Sequence, residues 1–257
     1  MILMNKLREY GFVRYDLLKE LNYEGIEFDY LELLNYFSDL SIDEYAPTLN
    51  RYRRYSRALI LPGNDQIFWL PIQKINNSEY SVYFQGKFNP EFPESYRKFR
   101  PIDQHIQNNN LLNKIISSNF KKTFWNEEDK ILPIHVGVHF VKLFVNDAFK
   151  KATSSPDCLH QDGEPFTFAH LIERKNVKGG TNVIASPQVV GKKPHEINNE
   201  DIIEIFELSK ALESYGVHDT SVSHYVSAIE QDNKSNPATR SVILIDYQQT
   251  IVADINE

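Results

Sequence analysis

The stretch at residues 131–145, ILPIHVGVHFVKLFV, constrains the chain most. Ile134, Val136, Val138 and Phe140 fall on one side of an alternating pattern, and His135, Gly137, His139 and Val141 on the other. A period of two belongs to a β-strand, whose successive side chains point to opposite faces. The second side, with two histidines and a glycine, is unlike a plain solvent face. Four more short β-rich pieces follow: PFTFAHLIE, TNVIASP, VSHYVSAIE and RSVILIDYQ. Each is bounded by Gly, Pro, Asn or Asp, and strands at such spacing predict a sandwich or jelly roll.

The region before residue 131 is mixed. Residues 29–40 carry Leu31, Leu34, Phe37 and Leu40 at helical spacing, and residues 108–125 carry Leu111, Leu112, Ile115, Ile116 and Phe120. Both predict amphipathic helices. RYRRYSRALILPG and EYSVYFQGKF read as strands, the first ending at a Pro-Gly turn. Residues 199–214, NEDIIEIFELSKALES, fit a helix or two strands meeting near Ser209 and Lys210, and periodicity does not choose. No repeat stands out. The expectation is one mainly β (α+β) domain over 1–257, with a helix and strand elaboration at 1–130 and a core at 131–250.

Charge and cysteine content narrow the function. The net charge of −7 argues against a general nucleic-acid or anionic-membrane binder. The RYRRYSR cluster is basic and aromatic, but it sits in an acidic whole. A single cysteine, Cys158, allows no intrachain disulfide and fits a reducing compartment. The opening MILMNKLREYGF is too short in apolar residues for a signal-peptide core, and no apolar run approaches a membrane span. A cytoplasmic protein is expected, with its oligomeric state unreadable.

The chemistry centres on CLHQDGEP, residues 158–165. In a strand, His160 and Asp162 would share a face and offer one nitrogen and one carboxylate oxygen to a common point. Two histidines and one carboxylate form a facial metal site with open positions. His224, in SVSHYVSAIE, is the candidate third ligand. His218 competes but sits beside a turn. A lone histidine in a strand is more often a half-buried, hydrogen-bonded ring, so the pattern rests on the set. Arg240 opens the final apolar strand. Its rigid, always-charged fork suits a carboxylate, and beside such a metal it suits a keto acid with a distal carboxylate, 2-oxoglutarate. Other candidates are Arg57 and Glu164, for the carboxylate and ammonium of an amino acid, and His139, for the same cavity. As His-x-x-x-His, His135 and His139 suggest a helical zinc pair, which the alternation argues against. His170 reads as an interior histidine, Gly179-Gly180 as a loop, and Cys158 as a small buried residue.

LHQDGEP with FAHL, then GGTNVIASPQ, SHYVSAIE and TRSVILIDY occur in this order, with weaker likeness at RYRRYSR, VYFQGKF and YRKFRPI. In these motifs the chain resembles the bacterial L-isoleucine 4-hydroxylase-like family of Fe(II)/2-oxoglutarate dioxygenases, which hydroxylate free amino acids. The resemblance implies a double-stranded β-helix (jelly roll) core with helices packed from the N-terminal half. It implies iron on His160, Asp162 and His224, and the distal carboxylate of 2-oxoglutarate on Arg240. Iron, 2-oxoglutarate and O2 would then drive hydroxylation of an unactivated C–H, releasing succinate and carbon dioxide. It also tips IFELS towards strand. Two departures stand out. The loop VVGKKPHEINNED is long, and Ser241-Val242 after Arg240 lacks the Arg-x-Ser pairing of other dioxygenases. The alternative is a β-helix protein that binds a metal or small molecule without oxidation, or hydrolytically.

Overall fold

The computed structural model describes residues 2–64, 66–85, 96–154 and 156–251. The N-terminal part runs α1 (Ile2–Tyr10), β1 (Phe12–Asp16), α2 (Leu17–Glu20), α3 (Ile26–Tyr36), β2 (Arg51–Ile60) and β3 (Ile67–Trp69). It continues through β4 (Gln73–Ile75), β5 (Ser78–Phe84), β6 (Tyr96–Phe99), α4 (Gln104–Gln107) and α5 (Asn110–Phe120). Then come β7 (Ile134–Val145), β8 (Phe166–Lys175), β9 (Val177–Gly179), β10 (Thr181–Ala185) and β11 (Ile202–Glu207). The last four are β12 (Glu213–His218), β13 (Ser223–Val226), β14 (Ile229–Gln231) and β15 (Ala238–Gln249).

Seven strands form one antiparallel sheet in the order β1-β12-β8-β15-β7-β2-β3. Strands from both halves of the chain share it. A three-stranded sheet, β11-β10-β13, packs against its inner face. Val141, Leu171, Tyr215 and Val242 of the large sheet meet Ile184 and Phe206 of the small one in a single buried cluster. Two facing antiparallel sheets are the jelly-roll core expected from the alternation.

The alternation of β7 explains the two layers. Ile134, Val136, Val138 and Phe140 point outward and join Ile243, Ile245 and Tyr247 of β15 against α3 and α5. Each such side chain, fully buried, contributes about 1.5–3 kcal/mol. Slipping β7 by one residue would bury its histidines against the helices instead, so the register is strongly set. α5 buries Leu111, Leu112, Ile115 and Ile116 as its spacing predicts. The reading of residues 29–40 holds in part: α3 itself buries Leu33 and Tyr36, Phe37 and Leu40 are buried just beyond it, Leu34 packs partly against the core, and Leu31 is 52% exposed. Two stripes of helical spacing overlap in these residues, and the sheet selects between them.

Residues 199–214 resolve as strand. β11 covers Ile202–Glu207, a bend follows in which Leu212 takes φ 66°, and β12 starts at Glu213. β5 ends at Phe84, and residues 86–88 of the expected strand lie outside the described residues. Gly179 and Gly180 both have positive φ, 85° and 73°, as a loop requires.

One polar chain crosses the helix–sheet interface. The Tyr15 hydroxyl donates to Asn119 Oδ1 at 2.7 Å, and Asn119 Nδ2 donates to His170 Nε2 at 2.8 Å. His170 Nδ1 then donates to Ser214 Oγ, which donates to the Leu212 carbonyl. Every group has a partner with a neutral imidazole, so burial holds His170 low, at about 3. It is the interior histidine expected.

Candidate functional site

The inner face of the large sheet carries the chemistry. Side chains on it include Arg51, Arg53, Tyr55 and Arg57 from β2, His139 from β7, and Arg240 and Asp246 from β15, set by the cross-strand registers. β13 brings His224 to the same interior. His160 and His224 exchange backbone N–H···O bonds of 3.0 Å in both directions, an isolated bridge between two distant segments. Ligand atoms of His160, Asp162 and His224 lie within 4.8 Å of one another. His224 Nε2 is 3.3 Å from Asp162 Oδ2, and His160 Nε2 is 3.7 Å from Asp162 Oδ1.

A strand does not deliver Asp162, as the i, i+2 argument expected. The backbone turns after His160, and Asp219 holds the turn. Its carboxylate accepts the N–H of Asp162 at 2.9 Å and of Gly163 at 2.8 Å. Gly163 takes φ 91°, which favours glycine. The long loop after β10 braces the other side: Leu159 donates to the Lys192 carbonyl and accepts from Gly191, both at 2.8 Å.

The donor set fits a divalent metal. His160 Nδ1 bonds the Cys158 carbonyl at 2.8 Å, which places its proton there and frees Nε2. His224 Nε2 is buried with no hydrogen-bond partner. Burial alone lowers the His224 ring; Asp162 and Asp219 more than offset this and push it up to about 10. Burial works to raise Asp162, but the His224 and His160 rings hold its carboxyl well below the usual range. A bound cation would take the proton's place. His218, the competitor, faces away. It stacks on Phe166 at 5.0 Å and bonds Ser221.

Arg240 is 3% exposed, and its Nε lacks a hydrogen-bond partner. Burial lowers its pKa to about 10, so it stays charged at neutral pH. Gly180 passes over it so closely that a Cβ would lie 3.1 Å from Arg240 Cδ. Burial pushes the Tyr215 hydroxyl up to about 12, with Arg240 acting to lower it and Asp162 to raise it. Tyr215 carried no sequence signal, because it lies in a different strand from Arg240.

The remaining candidates gather on the other side of Asp162. A cleft of about 450 Å³ is lined by Arg57, His135, Tyr83, Asp162, Glu164 and Asp246 among others. A smaller chamber of about 80 Å³ adjoins it, lined by Arg53, His139 and Arg97 together with Tyr83, Asp162 and Glu164. Glu164 is 5% exposed; Oε1 accepts from Tyr83 at 3.1 Å, and Oε2 has no partner. Burial, then Asp246 and Asp162, pushes its carboxyl well above the usual range. His139 Nε2 donates to Asp246 at 2.9 Å, and its Nδ1 accepts from Arg53 at 2.5 Å. Burial, reinforced by Arg53, holds this ring at about 4. Sequence reading did not single out Arg53, one arginine among several in its strand, nor Tyr83, Asp219 and Asp246, whose roles depend on partners distant in the chain.

A family model described as 2OG-Fe dioxygenase matches residues 34–246. The chain belongs to this family. The dioxygenase is 26% identical over 223 residues to 3(1)-hydroxy-L-isoleucine 4-dioxygenase of Pantoea ananatis (strain AJ13355), covering 85% of this chain and 80% of that one. It is 30% identical over 217 residues to L-isoleucine-4-hydroxylase of Bacillus thuringiensis, covering 83% and 80%. In fold it is similar to the crystal structure of IDO from Bacillus thuringiensis. The TM-score is 0.75 at 22% identity, with 97% and 99% of the chains covered. It is also similar to the dioxygenase TqaL, with a TM-score of 0.70 at 15% identity, covering 98% and 87%. The dioxygenase is thus an oxidoreductase of a family that uses Fe(II), 2-oxoglutarate and O2. Among its described residues, no helix is long and apolar enough to cross a membrane.

Proposed function

We propose that this dioxygenase hydroxylates an unactivated C–H of a free amino acid or close derivative, releasing succinate and carbon dioxide. In this reading His160, Asp162 and His224 hold the iron, and Arg240 takes the distal carboxylate of 2-oxoglutarate. The observation that carries it is the buried Nε2 of His224, without a hydrogen-bond partner and facing Asp162 and His160, with a buried Arg240 on the inner face of β15 whose Nε also has none. Iron and 2-oxoglutarate supply the oxidising power. The chain's residues do the rest. Asp219 fixes the turn that aims Asp162, and Cys158 fixes the tautomer of His160. Arg240 and Tyr215 offer a fork and a hydroxyl to one carboxylate.

The substrate sits in the cleft. Arg57 faces its carboxylate, Glu164 its ammonium, and His139 helps form the adjoining wall. The charged groups of an amino acid need such partners on leaving water. The curated relatives, named for isoleucine and its hydroxylated form, support an amino acid as substrate. The deciding experiment supplies Fe(II), 2-oxoglutarate and air with each free amino acid in turn. It reads succinate and a mass gain of one oxygen. Succinate that no amino acid increases, with no oxygenated product, would sink the proposal.

A further inference from the structure

We propose that the small chamber beside Asp162 is a second anion subsite with Arg53 as its cation, so the amino acid this enzyme takes is dicarboxylic. This rests on the reading of the site as an amino-acid hydroxylase. The first observation is pairing. Arg51 meets Asp43 at 2.8 Å, Arg54 meets Asp103 at 2.6 Å and Arg174 meets Glu207 at 2.9 Å. Among the described residues, Arg53 and Arg57 meet no carboxylate, and the Nε of each is buried without a hydrogen-bond partner. A guanidinium drawn out of water without a counter-charge is costly, and a ligand carboxylate relieves it.

The second observation is placement. Arg53 and Arg57 share the inner face of β2, two pleats apart, about 13 Å along the strand. The cleft holding Arg57 and the chamber holding Arg53 abut on Tyr83, Asp162 and Glu164. The two forks thus flank the iron ligand from adjoining spaces. The third is preorganisation. The Arg53 guanidinium lies 4.4 Å over Phe99 and 5.4 Å from the Tyr83 centroid, and donates from Nη2 to His139 Nδ1. His139 is fixed in turn by Asp246 and stacks on Tyr55 at 4.3 Å. The chamber, of about 80 Å³, has room for a carboxylate. One α-carboxylate occupies one fork, and the side-chain carboxylate occupies the other.

The test is a substrate panel on the iron-loaded enzyme, comparing L-glutamate and L-2-aminoadipate with L-isoleucine and L-norvaline by succinate release. The acidic pair should half-saturate at least tenfold lower. Arg53→Gln should erase that gap, and Arg53→Lys, which keeps charge without the fork, should retain part of it. Neutral amino acids saturating at equal or lower concentration would overturn the proposal, with no variant needed. If no amino acid drives succinate, the hydroxylase reading has failed, and the subsite is tested separately. L-glutamate is then titrated calorimetrically into the metal-free protein. A binding heat lost in Arg53→Gln and kept in Arg240→Gln supports the subsite. No heat in the parent protein, or heat that survives in Arg53→Gln or vanishes in Arg240→Gln, overturns it.

Discussion

At the scale of single residues, the ligand set makes the sharpest claim. His160→Ala, Asp162→Ala and His224→Ala should each abolish turnover, and His218→Ala should not. Anaerobic Fe(II) with 2-oxoglutarate should give a weak visible charge-transfer band that the first three variants lose. Arg240→Lys keeps the charge but loses the two-point contact. It should raise the Michaelis constant for 2-oxoglutarate tenfold or more, with a smaller effect on the amino acid. An unchanged constant in Arg240→Ala would remove the assignment. The proposed ligands drew on a short His-x-Asp, a later strand histidine and the ordered motifs around them, because these leave a trace in local sequence. Asp219 leaves none. It acts across 57 residues on two backbone N–H groups, and an aspartate in a turn looks like any other. Arg53 was hidden differently, among neighbouring arginines of which only some face inward.

At the scale of elements, the close pass of β7 and β15 gives a steric prediction. A Cβ on Gly137 would lie 2.3 Å from Asp246 Oδ2, so a side chain there must push away the carboxylate that holds His139. Gly137→Ala should cost about 1–3 kcal/mol by overpacking, read as a lower urea midpoint, and should weaken amino-acid binding. His170 gives the pH dependence. Its folded pKa of about 3 lies below the unfolded value of 6.5. The neutral ring's contribution is therefore complete above pH 6.5 and lost as pH falls towards 3, because the unfolded chain binds the extra proton. The full effect is on the order of 5 kcal/mol. His170→Gln should flatten stability against pH across that window, and an unchanged slope would refute it. The strands were legible because alternation needs only local sequence. The face of α3 was not, since two helical stripes overlap in it and only the sheet distinguishes them.

At the scale of the whole molecule, the candidate iron site joins the 156–163 segment to β13, two stretches also linked by the His160–His224 bridge and by the Tyr225 hydroxyl donating to Asp157. Metal that binds only the folded state stabilises it by mass action. Chelation should therefore lower the melting temperature by several degrees and speed amide exchange at residues 158–163 more than at β7. Equal exchange at both would argue against a metal holding this segment. The sheet order has a separate consequence for synthesis. β15 is the central one of the seven strands, between β8 and β7, yet it follows the other six in the chain. Until the ribosome releases residues 238–249, both neighbours carry open edges able to pair with other chains. A nascent chain arrested before Ala238 should therefore be captured by chaperones or aggregate, because the sheet closes from its centre and only once residues 238–249 have emerged.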